Sequence, residues 1–529
     1  MTQIKSIETV RMLNTKAQLS RWPALTAVLL ASTFLTACAV GPDYRTPVSI
    51  ASDADWAQAV ESSAAPVNLA QWWSNLNDPV LKRLVDTALA QNLDLRQASA
   101  RIDEARALRD WVAGRQLPEA SVGASVNRRR QSENGPLPIS AMPGVETHQT
   151  IYDAGFDAAW EIDVFGGKQR ALESASAKLE AAQAEAQGVR MRIIAEVVRA
   201  WFSSVGAAQE LRTQQATVAS LEQTMELVWQ RVALGDAAAA DVDTVYAQLA
   251  AAKAALPDIQ ARQRAAVLSL GVLLGQTPEQ ELALLDAQPA RVALLPIPVG
   301  ERADILRRRP DILAAERNLA ASSADIGVTT AELFPKLSIG LSGGFQALST
   351  GNWFDASSRR SSVLPLISWR LFDGGRVRAE IRASEAAEQQ AALGYEQAVL
   401  AALADAESAL SDYQAGLSSL QLRTEALDAS RSSYAHAQSR YAAGDIALVE
   451  LLAIERVLHE AESASTRAHT AAAVQLVALY KALGGGWEVP VLSTNSDKQE
   501  QSVTGHDAQS ASMQSIAQRQ RISQLSHSE

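Results

Sequence analysis

The sequence contains one structural unit twice, and this duplication limits the possible folds more than any other feature. Residues 94–125 align with residues 311–342 at a constant offset, and the segment around Gly235 aligns with the segment around Gly444. Two copies of one unit predict two similar halves that share one order of elements. The paired positions include Asp94 with Asp311, Ala98 with Ala315, Pro118 with Pro335, Ser121 with Ser338, Arg231 with Arg440, Asp236 with Asp445 and Asp241 with Glu450.

Each copy carries two segments in which apolar and polar residues alternate. The clearest runs from Leu337 to Gln346, with Leu, Ile or Phe at most odd positions and Ser or Gly between them. A strict period of two predicts β-strands, and loops rich in Gly, Pro and Ser separate the two strands of each pair. The predicted strands lie at about 117–130, 147–162, 334–348 and 361–372.

Long helices flank the strand pairs. A helix of about 35 residues precedes each pair and is stopped by Pro118 or Pro335, because proline does not continue a helix. After each pair the apolar period becomes about 3.5, which predicts coiled-coil helices of about 65 residues, roughly 100 Å long. Turns at Gly235 and Gly444 then reverse the chain into shorter helices. The expected ranges are 80–116 and 303–333 for the preceding helices, and 237–275 and 446–483 for the shorter ones.

Composition supports long helices and excludes one class of partner. Apolar residues make up 47% of the chain but aromatic residues only 5%, which favours closely packed helices over a bulky core. The net charge of -11 argues against binding to nucleic acid, which requires clustered Lys and Arg. The short run Arg128 to Arg130 is interpreted as a solvated loop or a membrane-edge anchor.

The N-terminus has the pattern of an export signal. A basic leader precedes an apolar segment of about a dozen residues, which is too short to span a bilayer permanently. The tetrapeptide Leu35 to Cys38 resembles the bacterial lipobox, in which the thiol is acylated and becomes the first mature residue. Since Cys38 is the only cysteine, an intramolecular disulfide is excluded. Ala39, rather than Asp, follows it and resembles an outer-membrane sorting signal.

The number of strands predicts an oligomer. No mature segment reaches about 18 consecutive apolar residues, so a membrane crossing requires strands. Four strands do not close a barrel, and open edges in hydrocarbon leave backbone groups unpaired, so copies must pool their strands. Two copies give eight strands around a filled interior, and three give twelve strands around a lumen. Helical walls around a conduit favour the barrel of twelve strands, but the number of strands per chain alone is compatible with eight or twelve.

The predicted fold class is an α+β membrane protein whose β-barrel continues into a long α-helical coiled-coil barrel, internally duplicated. The tail is Ser- and Gln-rich without apolar periodicity and is expected to be mostly disordered. The expected divisions are 1–37 signal peptide, 38–70 acylated segment, 71–275 first repeat, 276–301 connector, 302–486 second repeat and 487–529 tail.

Two other classes of function fit the sequence poorly. For an enzyme, the sequence lacks a P-loop and a candidate cysteine nucleophile, and its six His residues have no metal-ligand spacing. His459 and His469, for example, fall on roughly opposite faces of one helix. A coiled-coil scaffold lipoprotein without a pore leaves the alternating strands unexplained. The expectation is therefore a protein that is not an enzyme and has neither a metal nor a cofactor.

Four segments, in order and in register with the duplication, resemble the outer-membrane factors of Gram-negative efflux systems. These proteins are TolC-like, and the similarity is to the lipoprotein branch of the OprM and NodT type. The resemblance implies a homotrimer with a twelve-stranded barrel, four strands per chain, over a helical tunnel across the periplasm. It also implies a periplasmic adaptor and an inner-membrane pump, often of the resistance-nodulation-division class. The segments are Ala39 to Tyr44, Ala159 to Gly166, Leu306 to Ile312 and Phe372 to Gly375.

The resemblance also assigns sites. Covalent lipid is expected on Cys38, and adaptor docking at the two helix turns, Leu234, Gly235, Asp236, Ala443, Gly444 and Asp445. A gate just inside these turns is expected from a link between Asp241 and Tyr441 and from an acidic ring at Glu450. Ile446 and Ala453 depart from polar positions of some members, which predicts a more apolar lock. The expected role is passive conduction of drugs or other small molecules, and the alternative is the exit duct of a type I protein secretion system.

Overall fold

The fold is described from a computed structural model of the chain. The predicted signal peptide, Cys38 and the predicted tail lie outside the described residues. The described residues are 39–47, 56–57, 69–132, 146–287, 292–294 and 302–486.

The same order of helices and strands occurs twice among these residues. The helices are α1 (Pro79–Gln91), α2 (Leu93–Gly114), α3 (Gly167–Ala233), α4 (Ala239–Leu273), α5 (Arg302–Arg308), α6 (Pro310–Ala331), α7 (Arg376–Ala443) and α8 (Leu448–Ala482). The strands are β1 (Glu119–Arg130), β2 (His148–Ile162), β3 (Lys336–Ala347) and β4 (Arg359–Ser368). Short 3-10 helices lie at Trp72–Leu76, Pro278–Asp286, Thr350–Asn352 and Ala356–Ser358.

The helices form a layer in which the two long ones, α3 and α7, are separated by α6 and α8. Helix α3 has 67 residues and α7 has 68, so each extends roughly 100 Å. Helix α3 packs against α2 and α4 along one side and against α6 and α8 along the other. Helix α7 packs against α6 and α8. Each long helix is therefore matched in height by two shorter ones, and the layer has α2 with α4 at one edge and α7 at the other.

Two of the helices expected from the sequence are each broken in two. Asn92 separates α1 from α2, because its amide group donates to the Leu273 carbonyl at 2.8 Å and its side-chain oxygen caps the Leu95 N–H. Arg309 separates α5 from α6 and has extended backbone angles, φ -77° and ψ 122°, as the residue before Pro310 must. The expectation of one continuous helix before each strand pair was therefore wrong.

Strand β4 also ends earlier than expected. It spans Arg359–Ser368 instead of about 361–372, because residues 369–375 form a turn that leads into α7. The Asp373 carboxylate accepts hydrogen bonds from the N–H groups of Gly375 and Val377, both at 2.9 Å. These hydrogen bonds lower the pKa of Asp373. A helix cap at this position ends the strand pairing.

The largest apolar core lies at mid-height of the helix layer. Trp72 stacks on Tyr480 with ring centroids 4.6 Å apart, and Trp201 is fully buried beside them in the same cluster. The indole N–H of Trp201 donates to Asp78 at 2.7 Å, and the same carboxylate caps α1. Only small apolar clusters hold the far ends of the long helices, so packing is strongest near the middle.

Candidate functional site

The sheet has one apolar and one polar face. Its antiparallel order β1-β2-β3-β4 leaves β1 and β4 as edges, and successive residues alternate between faces. Large exposed side chains on the apolar face are Val122, Val126, Phe156, Trp160, Leu341, Val363 and Ile367. The other face carries Ser121, Ser125, Asp153, Asp157, Ser338, Ser342 and Ser362, with Leu364 and Leu366 as apolar exceptions. This is the pattern of strands between lipid and a water-filled interior.

Aromatic side chains lie at both ends of the apolar face. At the helix end, Trp160 and Trp369 donate their indole N–H groups to the carbonyls of Gln116 and Leu333, both at 2.9 Å. Amphipathic rings of this kind occupy the boundary between hydrocarbon and water in membrane proteins. The loop end carries a cluster of four rings, namely Tyr152, Phe345, Trp353 and Phe354.

A charged network crosses the polar face near the loop end. Arg360 of β4 reaches over β3 and donates to both oxygens of Asp153 on β2, at 2.6 and 2.9 Å. Gln346 donates to the same carboxylate at 2.9 Å. Gly155 leaves room for this path, since a Cβ at this position would come 3.3 Å from the Arg360 guanidinium. The arginine is thus held flat against the wall of the sheet.

The first described residues lie where the sheet meets the helices. The Val40 N–H donates to the carbonyl of Phe165, just after β2, at 3.1 Å. Arg170 of α3 is 5% exposed and donates to the Val40 carbonyl at 3.2 Å and to Asp43 at 2.6 Å. Its guanidinium lowers the pKa of Asp43 by hydrogen bonding and charge. Cys38 lies outside the described residues, but the next residue along is fixed at this end of the sheet.

The two predicted helix turns share one backbone geometry. Gly235 has φ 77° and Gly444 has φ 82°, a region that L side chains rarely adopt. In both turns the following Asp donates its N–H to the carbonyl of the arginine five residues earlier, at 2.8 Å for Asp236 and 2.9 Å for Asp445. Leu234 is 83% exposed at the first turn. The turns therefore present backbone groups and, at the first turn, the apolar Leu234 side chain at the end of the molecule farthest from the sheet.

Asp241 and Tyr441, the predicted link, have different partners in this protomer. The Asp241 carboxylate accepts the Ala238 N–H at 3.2 Å and so caps α4. The Tyr441 hydroxyl accepts a hydrogen bond from Arg231, whose guanidinium also lies 5.5 Å from the Tyr441 ring centroid. Arg231 pairs with Asp236 as well, at 2.8 Å. Arg231 thus joins the two helical hairpins, which are α3 with α4 and α7 with α8. The sequence analysis missed this role, although the repeat alignment had singled out this position.

The other predicted gate positions lie at the second turn. Glu450 lies 3.7 Å from Arg440, and both side chains are more than half exposed. Ile446 is buried in an apolar cluster with Ala437 and Leu451. An apolar side chain at this position packs within its own hairpin and makes no polar link.

A buried charged pair lies farther along the second hairpin. Glu455 is 3% and His459 15% exposed in their side chains, and they are 3.5 Å apart on α8. Ser220 of α3 donates to Glu455 at 2.6 Å. Burial opposes ionisation of both groups, but their mutual attraction and the Ser220 hydrogen bond outweigh it. The pKa of Glu455 is therefore lowered, and Glu455 and Glu462 raise the pKa of His459.

Two further observations concern sites of other kinds. Within the described ranges, no three His, Cys, Asp or Glu side chains come together as metal ligands would. In the same part of the chain, no helix combines the length and apolar character needed to cross a membrane.

A sheet with a lipid-type face, continuous with a layer of roughly 100 Å helices, defines the wall of a membrane channel. The sequence model of the outer membrane efflux protein family matches residues 84–276 and 302–485. The chain belongs to this family, and it is an outer-membrane channel component of an efflux system.

Individual relatives agree along most of the chain. It is 32% identical over 466 residues to outer membrane protein OprJ of Pseudomonas aeruginosa, covering 88% of this chain and 96% of OprJ. It is also 32% identical over 452 residues to the pyoverdine export outer membrane protein OpmQ of Pseudomonas putida, covering 83% and 93%. The solved structure of the outer-membrane channel OprN aligns with a TM-score of 0.77 and 38% identity, covering 85% of this chain and all of that one. The expected family and efflux role are confirmed.

Proposed function

We propose that three copies of this chain assemble into one continuous duct. The observation that supports this most directly is the four-stranded sheet with an exposed apolar face and two unpaired edges, β1 and β4. In hydrocarbon those edges require partners, and β1 of one copy pairing with β4 of the next supplies them. Twelve strands enclose a lumen, whereas eight give an interior filled by side chains. The polar face of the sheet then lines the passage.

The helix layer has matching free edges. Large apolar side chains remain exposed on the edge helices α2, α4 and α7, which a neighbouring copy of the layer would cover. They are Leu108 and Trp111 on α2, Tyr246 and Val272 on α4, and Leu393, Leu400 and Leu422 on α7. Closure of one ring thus pairs the free edges of the sheet and covers the exposed apolar side chains of the edge helices.

We assign residues 1–37 to a signal peptide and the lipid anchor to Cys38. The contacts of Val40 with Phe165 and Arg170 hold the next residues beside the helix end of the sheet. Trp160 and Trp369 are at that same end, the level expected for lipid headgroups. An acyl chain on Cys38 would therefore enter the periplasmic leaflet without stretching the chain.

The turns at Gly235 and Gly444 serve as docking points for a periplasmic adaptor that links the duct to an inner-membrane pump. Six similar turns in a trimer suit a ring-shaped partner. Asp241, Tyr441 and Glu450, together with Arg231, close the passage just inside these turns. The cargo is a small molecule, in line with the export named for OpmQ.

The test uses the purified, full-length acylated chain. Light scattering in detergent is expected to give the mass of three copies, and planar bilayers are expected to show low conductance that rises in the D241A/Y441F variant. A stable monomer that never inserts into lipid contradicts the assembly. A trimer that inserts but conducts in neither form contradicts the duct.

A further inference from the structure

The arginine run Arg128 to Arg130 is split between the two faces of the sheet. Arg129 shares the polar face with Gln149 and donates to it at 3.5 Å. Arg128 and Arg130 are on the apolar face, about 6.8 Å apart along β1, and both are exposed. Two arginines on the lipid side of a membrane strand destabilise the inserted protein unless they lie at the level of the headgroups.

A third arginine occupies the same end of the same face. Arg359 is the first residue of β4, is paired with Phe345 and is exposed, whereas the next residue, Arg360, is turned to the polar face. His148, opposite Arg130, adds a further nitrogen on the apolar face. Arg128, Arg130 and Arg359 are called the arginine rim below.

The rim arginines differ from the other arginines of the sheet in their partners. Arg360 is paired with Asp153, but among the described residues no carboxylate pairs with Arg128, Arg130 or Arg359. The exposed acids Glu146 and Asp355 near this end are not bonded to them. No acid of the described residues therefore neutralises the charge of the rim.

Their depth is fixed by the aromatic cluster of Tyr152, Phe345, Trp353 and Phe354. Such rings mark the hydrocarbon boundary, and the rim lies at or beyond this level, away from the helices. Guanidinium groups at that height meet the headgroups of the external leaflet. Arginine is suited to phosphate there, because its planar donors bind two oxygens at once.

We propose that the arginine rim binds the phosphate groups of an anionic lipid in the external leaflet. The site rests on the proposed trimer, since it lies at the seam where β1, carrying Arg128 and Arg130, meets β4 of a second copy, carrying Arg359. Three seams give three sites around the barrel. Each bound lipid bridges two copies of the chain and supports ring closure.

The experiment uses the full-length trimer in phosphatidylcholine nanodiscs that contain diphosphoryl lipid A, with bound lipid counted by native mass spectrometry. The R128Q/R130Q/R359Q variant is expected to lose affinity roughly fivefold for each arginine removed. The matched control is R130Q against R129Q, which removes the same charge from the neighbouring position on the other face. Only R130Q is expected to release lipid.

A second measurement avoids variants that fail to fold. The wild-type trimer is expected to prefer diphosphoryl lipid A to its dephosphorylated form, and inorganic phosphate alone is expected to compete weakly. Equal retention of both lipids, equal losses in R129Q and R130Q, or full competition by free phosphate would overturn the lipid site while leaving a conducting trimer intact. A chain that does not trimerise overturns the duct and the seam together.

Discussion

The two hairpins that end at Gly235 and Gly444 have the same backbone and different polar contacts. In the first, Arg231 at the end of α3 pairs with Asp236 and reaches Tyr441 in the other hairpin. In the second, the equivalent Arg440 lies 3.7 Å from Glu450 in its own hairpin, in an exposed pair. Duplication thus preserved the turn, which depends on glycine, and left the side chains free to diverge.

Within the described residues, the second hairpin has a buried ion pair that the first hairpin lacks at the equivalent positions. Glu455 and His459 of α8 correspond to Tyr246 and Ala250 of α4, which are both exposed. The difference follows from neighbours, because α8 packs between α3 and α7 while α4 is at the edge of the layer. The second hairpin therefore contributes a buried ion pair that also accepts a hydrogen bond from Ser220 of the first hairpin, and the first contributes Arg231, which contacts Tyr441 of the second.

The largest expected effect tests the buried ion pair of Glu455 and His459. His459→Ala leaves the buried Glu455 carboxylate with Ser220 as its described donor, and an undersatisfied buried acceptor costs about 1–3 kcal/mol. We expect a lower Tm by thermal unfolding of the detergent-solubilised protein. His436→Ala, which removes an exposed histidine from α7 of the same hairpin, is the control and should have a much smaller effect.

The loss of stability in His459→Ala is expected to depend on pH in a characteristic way. The pKa of His459 is raised above its ordinary 6.5, so its contribution is complete below 6.5 and is lost as pH rises through the folded value. The pKa of Glu455 is lowered below its ordinary 4.5, so its contribution is present above 4.5 and is lost at lower pH. The Tm difference between wild type and His459→Ala should therefore be largest near pH 5–6 and shrink in alkaline buffer. A difference that grows in alkaline buffer would contradict the ion pair.

A smaller effect is expected from the contact between hairpins. Arg231→Ala removes the donor to Tyr441, the ion pair with Asp236 and the contact with the tyrosine ring. We expect the open probability in planar bilayers to rise several-fold. Arg440→Ala removes the same charge from the equivalent position and should leave it nearly unchanged. Equal increases in the two variants would attribute the effect to the lost charge and contradict a role for the cross-hairpin contact.

The sequence predicted those parts of the fold that depend on local patterns. Alternation located the four strands to within a few residues, and the glycines at 235 and 444 indicated turns whose positive φ the structure contains. The break at Pro310 was also visible in the sequence, since the residue before proline avoids helical angles, but it was not used.

The remaining features depend on contacts between distant segments. Asn92 ends α1 by bonding to Leu273, and nothing local distinguishes it from a solvated polar residue of a helix. The contact of Arg231 with Tyr441 requires the relative rotation of two hairpins, which periodicity does not determine. Motif similarity therefore placed the predicted gate at the end of the molecule that carries the helix turns, whereas the partners of these residues within one protomer required coordinates.

The smallest expected effect concerns Glu450, the counterpart of Asp241. Its exposed pair with Arg440 contributes little to stability, so Glu450→Gln should change the open probability by about twofold or less.

If three such carboxylates surround a narrow axis, however, they attract cations and repel anions. In the Arg231→Ala background, where the passage opens more often, Glu450→Gln should shift the reversal potential toward lower cation preference at low salt. Asp445→Asn, which removes the same charge at the turn itself, should shift it less, and an equal shift would place the selective ring at the turn rather than inside it.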